Sequence, residues 1–430
     1  MVASLHRNRH SAKAEAFHRR NAERYTEYLG HSRGALMKAG QILSMVIPES
    51  GEDGQYRGIY QAAFARLQDS APPMPTELAV ETVETELGRP LSEVFATFEP
   101  EPLAAASIGQ VHAATLHDGT GVVVKVQYPG VQEAIRADLA NTELLGTFLQ
   151  MLLFVVPLSK TDVRGMAKEI AERIGEEIDY LTEAANQQEF AEAYRGHPFI
   201  RIPKVHDELT THRVLTMQHV DGMRYAQAAR AELPLRDRWG EAIYRFLYGS
   251  LSKLGLVNAD AHPGNYLFHP DGSVTFLDFG CVKRLTPPQV DTLVELFRHL
   301  ASQDAEALHR YAIEAGYIRA ADVPDADRLA AFLLLSQPHL TAPQPFTFTP
   351  ELMAALTRDA LKESNREVMR KLSSPAFLTM INRVGTGTFA VLGGLRATGD
   401  WKSVWAECCE GEPPFTAYGR LDTEFWASKP

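Results

Sequence analysis

Residues 258 to 265 read NADAHPGN. Asp260 is followed by four residues and then Asn265. This is the spacing of a phosphoryl-transfer loop, with one carboxylate near the attacking oxygen and one amide on Mg²⁺. His262, Pro263 and Gly264 shape the turn between them. At 278 − 260 = 18 residues further on, Asp278 closes the strand-like run SVTFL and is followed by Phe279 and Gly280. A carboxylate at a strand end is well placed to hold a metal between β- and γ-phosphates. A single short hairpin in the interval brings Asp260, Asn265 and Asp278 around one metal site.

That chemistry also needs a cation on the nucleotide phosphates. Lys125 emerges from three valines in VVVK at 122–125, which matches the V-A-I-K strand whose lysine grips the α- and β-phosphates. The stretch AAASIGQV at 104–111 ends 125 − 111 = 14 residues before it. It reads as a phosphate loop with most of its glycines replaced, so Ala104, Ala105, Ala106, Ser107, Gly109 and Val111 are candidate nucleotide contacts. Alanine restricts a backbone that glycine would leave free. The stretch EEIDYLTEAANQQEF offers Glu176, Glu177, Asp179 and Glu183 as partners for the lysine, and we assign Glu183 to it.

The elements that must position these residues follow from periodicity. Apolar spacing predicts one helix over about 15–47 and a second over about 56–68, before DSAPPMP, where three prolines in four residues break helix. TELAVETVETELG predicts a helix capped by Thr76 and stopped by Gly88. QVHAATL and GVVVKVQY, separated by HDGTG, predict a hairpin. Residues 131–195 read as helical, RVLTMQHV as a strand, and NYLFHP and SVTFLDFG as a second hairpin; long helices dominate from about 225. The tail after Thr398, rich in Trp, Pro and Gly, reads as irregular. These elements imply an α+β, two-lobed architecture with a cleft. They divide into an extension at 1–75, a small α/β lobe at 76–222 with a helical insertion at about 131–175, a mainly helical lobe at 223–400, and a tail at 401–430.

The chain has 430 residues, of which 45% are hydrophobic and 23% charged, with a net charge of −11. That balance argues against nucleic acid, which is gripped by clustered Lys and Arg. Cys281, Cys408 and Cys409 have neither disulfide-framework nor metal-ligand spacing, which fits a reducing cytoplasm. The apolar run at 144–158 has 15 residues, fewer than the about 20 a bilayer-spanning helix needs. It reads as a buried helix with room for peripheral membrane contact, and no transmembrane span is expected.

Taken in order, LMKAGQ, AAASIGQV, VVVK, EEIDYLTEA, VLTMQHVDG, NADAHPGNYLF and LDFG resemble the UbiB family of atypical, protein-kinase-like proteins over roughly residues 20–400. The resemblance implies a protein-kinase-like fold whose N-terminal helical extension packs over the site where a protein kinase accepts its peptide. Lys38 and Gln41 of the K-x-G-Q motif, with Glu177 and Asp179 of the E-x-D motif, would reach toward the nucleotide, and Met217 and His219 would lie at the adenine. Asn258 stands where members often have His, and its amide can still hydrogen-bond the loop. Gln218 replaces a more usual Glu.

The resemblance further implies Mg²⁺ with ATP or ADP, and a supporting role in coenzyme Q or other isoprenoid-lipid metabolism, with partners such as a quinone-like lipid or a biosynthetic protein complex. ATP hydrolysis or small-molecule phosphorylation is expected rather than protein phosphorylation. Two other readings stay open. One is a small-molecule kinase of the aminoglycoside or choline type, which shares a D-x-H-P-G-N loop. The other is a nucleotide-dependent regulatory or chaperone-like module.

Overall fold

The computed structural model describes residues 74–140 except Ser107, then 178–318, 324–335, 337–360 and 376–429, with a few isolated positions besides. The helices expected over 15–47 and 56–68, with Lys38 and Gln41, lie outside the described residues, as do Glu177 and the apolar run at 144–158. Two compact units emerge, one of Met1–Ala185 with Lys204–His219 and one of Asn186–Pro203 with Val220–Pro430.

The first unit begins with α1 (Thr76–Leu87), which ends on Gly88 at φ 67° as its sequence requires. Thr76 does not cap it. Pro75 occupies the cap position without a side-chain hydrogen bond, and Thr76 Oγ1 donates to the Pro100 carbonyl at 3.0 Å. Four strands follow: β1 (Phe95–Phe98), β2 (Ala104–Ala106), β3 (Gly109–Leu116) and β4 (Gly121–Gln127). Next come α2 (Val131–Ala140) and α3 (Tyr180–Ala193), then β5 (Ile200–Arg201) of the second unit and β6 (Val214–Gln218). The sheet runs β1-β3-β4-β6, with β2 also on β3, and all pairs are antiparallel. Alternation along β4 puts Val122, Val124 and Val126, all fully buried, on one face and Val123, Lys125 and Gln127 on the other.

Buried amides tie the flanking segments to this sheet. Gln110 on β3 takes both backbone groups of Met74, accepting its N–H at 2.9 Å and donating to its carbonyl at 3.4 Å, which pins the end of the proline linker. Gln127 and Gln132 both donate to the Ile178 carbonyl, at 2.7 and 2.8 Å, and so fix the entry into α3.

In the second unit, β5 pairs in parallel with β9 (Val274–Phe276), which pairs with β8 (Tyr266–Phe268); β7 (Leu256–Asn258) pairs with β10 (Val282–Arg284). The long α4 (Leu233–Leu254) buries Trp239, Tyr244, Phe246 and Leu251 in the core. Around it are α5 (Pro287–Ser302), α6 (Ala305–Glu314), α7 (Ala326–Leu334), α8 (Pro350–Ala360) and α9 (Ala376–Leu395). Residues 186–203, within the stretch expected to belong to the small lobe, group with the second unit. The reason is the β5–β9 pairing and the stacking of Phe199 on Tyr418 at 4.1 Å.

The tail expected to be irregular forms α10 (Trp401–Glu410) and α11 (Ala417–Ala427), capped by Asp400 and Thr416. Pro413, Pro414 and Gly411 fall in the connection, while Trp401 and Trp405 are each 1% exposed. A buried polar network holds both helices. Arg245 on α4 donates to Glu407 at 2.5 Å and to Glu241 at 2.8 Å, and lies 4.0 Å from Asp422. His197 accepts the Ile200 N–H on Nδ1 and meets Asp422 through Nε2 at 3.0 Å, which sets its tautomer.

His339 in the turn Pro338–Thr341 is fully buried against Tyr244, Phe348 and Phe389, and among the described residues neither ring nitrogen has a hydrogen-bond partner. Desolvation pushes its pKa from 6.5 down to about 3. The folded state therefore requires the neutral ring. Its stabilising contribution is complete above the unfolded value of 6.5 and is lost as pH falls toward 3. We expect the urea midpoint to drop steeply from pH 7 to pH 5, and His339→Phe to flatten that dependence. An identical slope in both proteins would show that His339 does not drive it.

Candidate active site

Lys125 lies on β4, an interior strand, opposite Val111 on β3 and Leu215 on β6. It is therefore not an edge-strand surface lysine. Its Nζ donates to both oxygens of Glu183, at 2.8 and 2.9 Å, across 58 residues of sequence. The residues are 8% and 4% exposed, so the pair is desolvated and each charge depends on the other. Tyr180, one turn before Glu183 on α3, places its ring centroid 5.1 Å from Nζ. Sequence reasoning missed Tyr180, although its i, i+3 relation to Glu183 puts both on one helix face.

Asp179 stands just before α3 and caps it. Its carboxylate accepts the Leu181 N–H at 2.9 Å and meets His212 at 3.0 Å, and its carbonyl accepts from Thr182 and Glu183. The cap fixes the first turn of the helix that carries Glu183.

The alanine-rich stretch is mostly strand. Ala104, Ala105 and Ala106 pair with Val111, Gln110 and Gly109. Ser107 itself lies outside the described residues. The stretch read as a phosphate loop is thus largely the paired strands β2 and β3. Gly109 is there for space: a Cβ would stand 2.1 Å from the Val126 carbonyl oxygen. Met217 on β6 is buried opposite Val123, whereas His219 just beyond the strand is exposed.

The second unit brings Asp260, Asn265 and Asp278 onto one hydrogen-bonded frame. Asn265 Nδ2 donates to Asp260 Oδ2 at 2.8 Å and to the Asp260 carbonyl at 3.2 Å, so its amide oxygen is the atom that Asn265 could offer a metal. His262 Nδ1 accepts the Gly264 N–H at 3.1 Å, setting the turn between them. Asp278 Oδ1 accepts the Gly280 N–H at 2.9 Å. Asn258 joins the two loops, since its Nδ2 donates to the Asp278 carbonyl at 2.7 Å and its Oδ1 accepts the Asp260 N–H at 3.1 Å. The expectation that Asn258 hydrogen-bonds the loop therefore holds. All three side chains are half-buried and carry oxygen donors. That donor set fits Mg²⁺, which takes one or two carboxylates and completes its shell with water and phosphate.

Two stability measurements test the arrangement of the first unit. Glu183→Gln leaves the Lys125 ammonium buried without its counter-charge and should cost about 3–5 kcal/mol. The double variant Lys125→Met/Glu183→Leu should recover most of that in urea titration, and no recovery would mean that the packing rather than the ion pair matters. Gly109→Ala should lower stability by about 1–3 kcal/mol through the clash with Val126, against about 0.5–1 kcal/mol for Ala105→Gly in the neighbouring strand. Equal effects would contradict the close approach.

Comparison with known proteins shows the family and the fold. Residues 66–312 match the ABC1 atypical kinase-like domain. The chain is 32% identical over 314 residues to an uncharacterized protein of Synechocystis, covering 72% of this chain and 44% of that one. It is 34% identical over 283 residues to ACTIVITY OF BC1 COMPLEX KINASE 8, chloroplastic, of Arabidopsis thaliana, with 64% and 37% covered. It is 32% identical over 292 residues to atypical kinase COQ8B, mitochondrial, of Rattus norvegicus, with 66% and 52% covered. The chain thus spans about half the length, or less, of these curated relatives. A solved structure, the Rv3197–erythromycin complex from Mycobacterium tuberculosis, superposes with a TM-score of 0.67 at 30% identity, covering 94% of this chain and all of that one. The α+β fold is kinase-like, and the chain belongs to the ABC1 atypical kinase-like family, the family of the UbiB and COQ8 proteins.

Proposed function

We propose that this protein binds Mg-ATP and turns it over, by hydrolysis or by phosphorylation of a small molecule rather than of protein. The observation that carries the reading is the desolvated, bidentate Lys125–Glu183 pair in a chain that also holds Asp260, Asn265 and Asp278 on one frame. Lys125 grips the α- and β-phosphates, with Glu183 fixing its direction. Asp260 accepts a hydrogen bond from the attacking hydroxyl or water and orients it. Asn265 and Asp278 present oxygens to the metal. When bound, Mg²⁺ neutralises charge on the β- and γ-phosphate oxygens.

The biological setting we propose is support of coenzyme Q or other isoprenoid-lipid metabolism, through a quinone-like lipid or a biosynthetic complex, on the cytoplasmic side with peripheral membrane contact. The names of the relatives support it, one being a COQ8 protein. Among the described residues no helix is long and apolar enough to cross a membrane. A second reading takes a bulky amphipathic small molecule as ligand or acceptor, because the relative in the solved structure is named in complex with erythromycin.

The deciding measurement is ATP hydrolysis by the purified chain, alone and with quinone-precursor phenols, lipid vesicles or erythromycin, beside Asp278→Asn. We expect Mg²⁺-dependent turnover that Asp278→Asn removes, and stimulation by one additive class. Equal hydrolysis by both proteins would sink the metal-site assignment. Strong thermal stabilisation by Mg-ATP without turnover would favour a regulatory module instead.

A further inference from the structure

Phe279, directly after Asp278, is fully buried, and its ring centroid lies 5.0 Å from that of Phe190. Its carbonyl is not part of any strand pairing. It accepts instead from Asn186 Nδ2 at 3.0 Å. Asn186 is 5% exposed and sits on α3 three residues after Glu183. Which way its amide faces is set by a second contact: Arg284 Nη2 donates to Asn186 Oδ1 at 3.0 Å, so the oxygen is occupied and the nitrogen must face Phe279. The same guanidinium group reaches Glu189, one turn further along α3.

Two consecutive carbonyls, those of Asp278 and Phe279, are thus each held by an asparagine amide, Asn258 for the first and Asn186 for the second. The peptide planes on the C-terminal side of Asp278 and of Phe279 are fixed, and the Gly280 N–H that meets the Asp278 carboxylate comes from the second of them. Rotation of that plane would withdraw the Gly280 N–H and free the Asp278 side chain to leave its orientation.

We propose that Asn186, oriented by Arg284, is a positioning residue for Asp278: it locks the Phe279–Gly280 peptide so that the carboxylate that would hold the metal keeps one orientation. This rests on the reading of Asp278 as a metal ligand. Outer contacts of metal ligands typically change metal affinity by about 10–100-fold when removed. Asn186→Asp keeps the size and the Arg284 contact but replaces the donor to Phe279 with an acceptor. Arg284→Met leaves Asn186 in place and removes what orients it.

The test measures Mn²⁺ affinity of the full-length chain by electron paramagnetic resonance, in the presence of a non-hydrolysable ATP analogue, for wild type, Asn186→Asp, Arg284→Met and Asp278→Asn. Thermal melting without ligand runs alongside. We expect Asn186→Asp to weaken Mn²⁺ binding about tenfold and Arg284→Met to weaken it less. We expect the ratio of Mg²⁺ concentrations at half-maximal hydrolysis to follow the same order, with kcat at saturating Mg²⁺ changed less. A lowered melting temperature with unchanged Mn²⁺ affinity would show a merely structural contact and overturn the proposal. If Asn186→Asp does not fold, Arg284→Met decides, and wild-type affinity there overturns it. If Asp278→Asn binds Mn²⁺ as wild type does, the metal-site reading fails and this proposal falls with it; weakened binding in Asp278→Asn alone overturns only the role of Asn186.

Discussion

Both oxygen-bearing loops of the second unit hang on the side-chain amide of Asn258. One side chain donates to the carbonyl of Asp278 and accepts from the N–H of Asp260, so the distance between the two carboxylate-bearing residues is set by the dimensions of a single planar group. A neutral imidazole in this place would also offer one donor and one acceptor, but it would lose the acceptor when protonated. The amide does not titrate. In this chain the tie between the two loops is therefore independent of pH in the range where an imidazole tie would switch.

Glu183 plays the equivalent part in the first unit. The burial that makes Lys125 costly to leave unpaired also makes its direction unambiguous, because both carboxylate oxygens are engaged by one ammonium. The supports behind this pair are again amides and caps: Gln127 and Gln132 on the Ile178 carbonyl, then Asp179 on the first turn of α3.

Much of this was legible in the sequence where chemistry and spacing coincide. Asp260, Asn265 and Asp278 stand out because their separation suits one hairpin, and β8 and β9 supply it. Lys125 stands out because three valines announce a buried strand. What could not be read is long-range geometry carried by ordinary residues. Nothing in the local pattern around Asn186 marks it as the partner of a carbonyl 93 residues away. The alanines of β2 carry no strand signal, since alanine is depleted in strands and their pairing is with β3. The C-terminal helices were hidden by composition: Trp, Pro and Gly suggest irregular chain, yet the tryptophans face a core that only the tertiary structure reveals.

Those helices bear on where the folding unit ends. The segment that matches the family domain stops at residue 312, but Arg245, inside it, is 2% exposed and takes Glu407 and Asp422 from α10 and α11. A fragment trimmed to the matched segment would retain Glu241 and lose the other two carboxylates, stranding a guanidinium among the aromatic residues of α4. The minimal autonomous piece of the second unit therefore extends at least through Asp422, more than a hundred residues past the boundary that homology alone would draw.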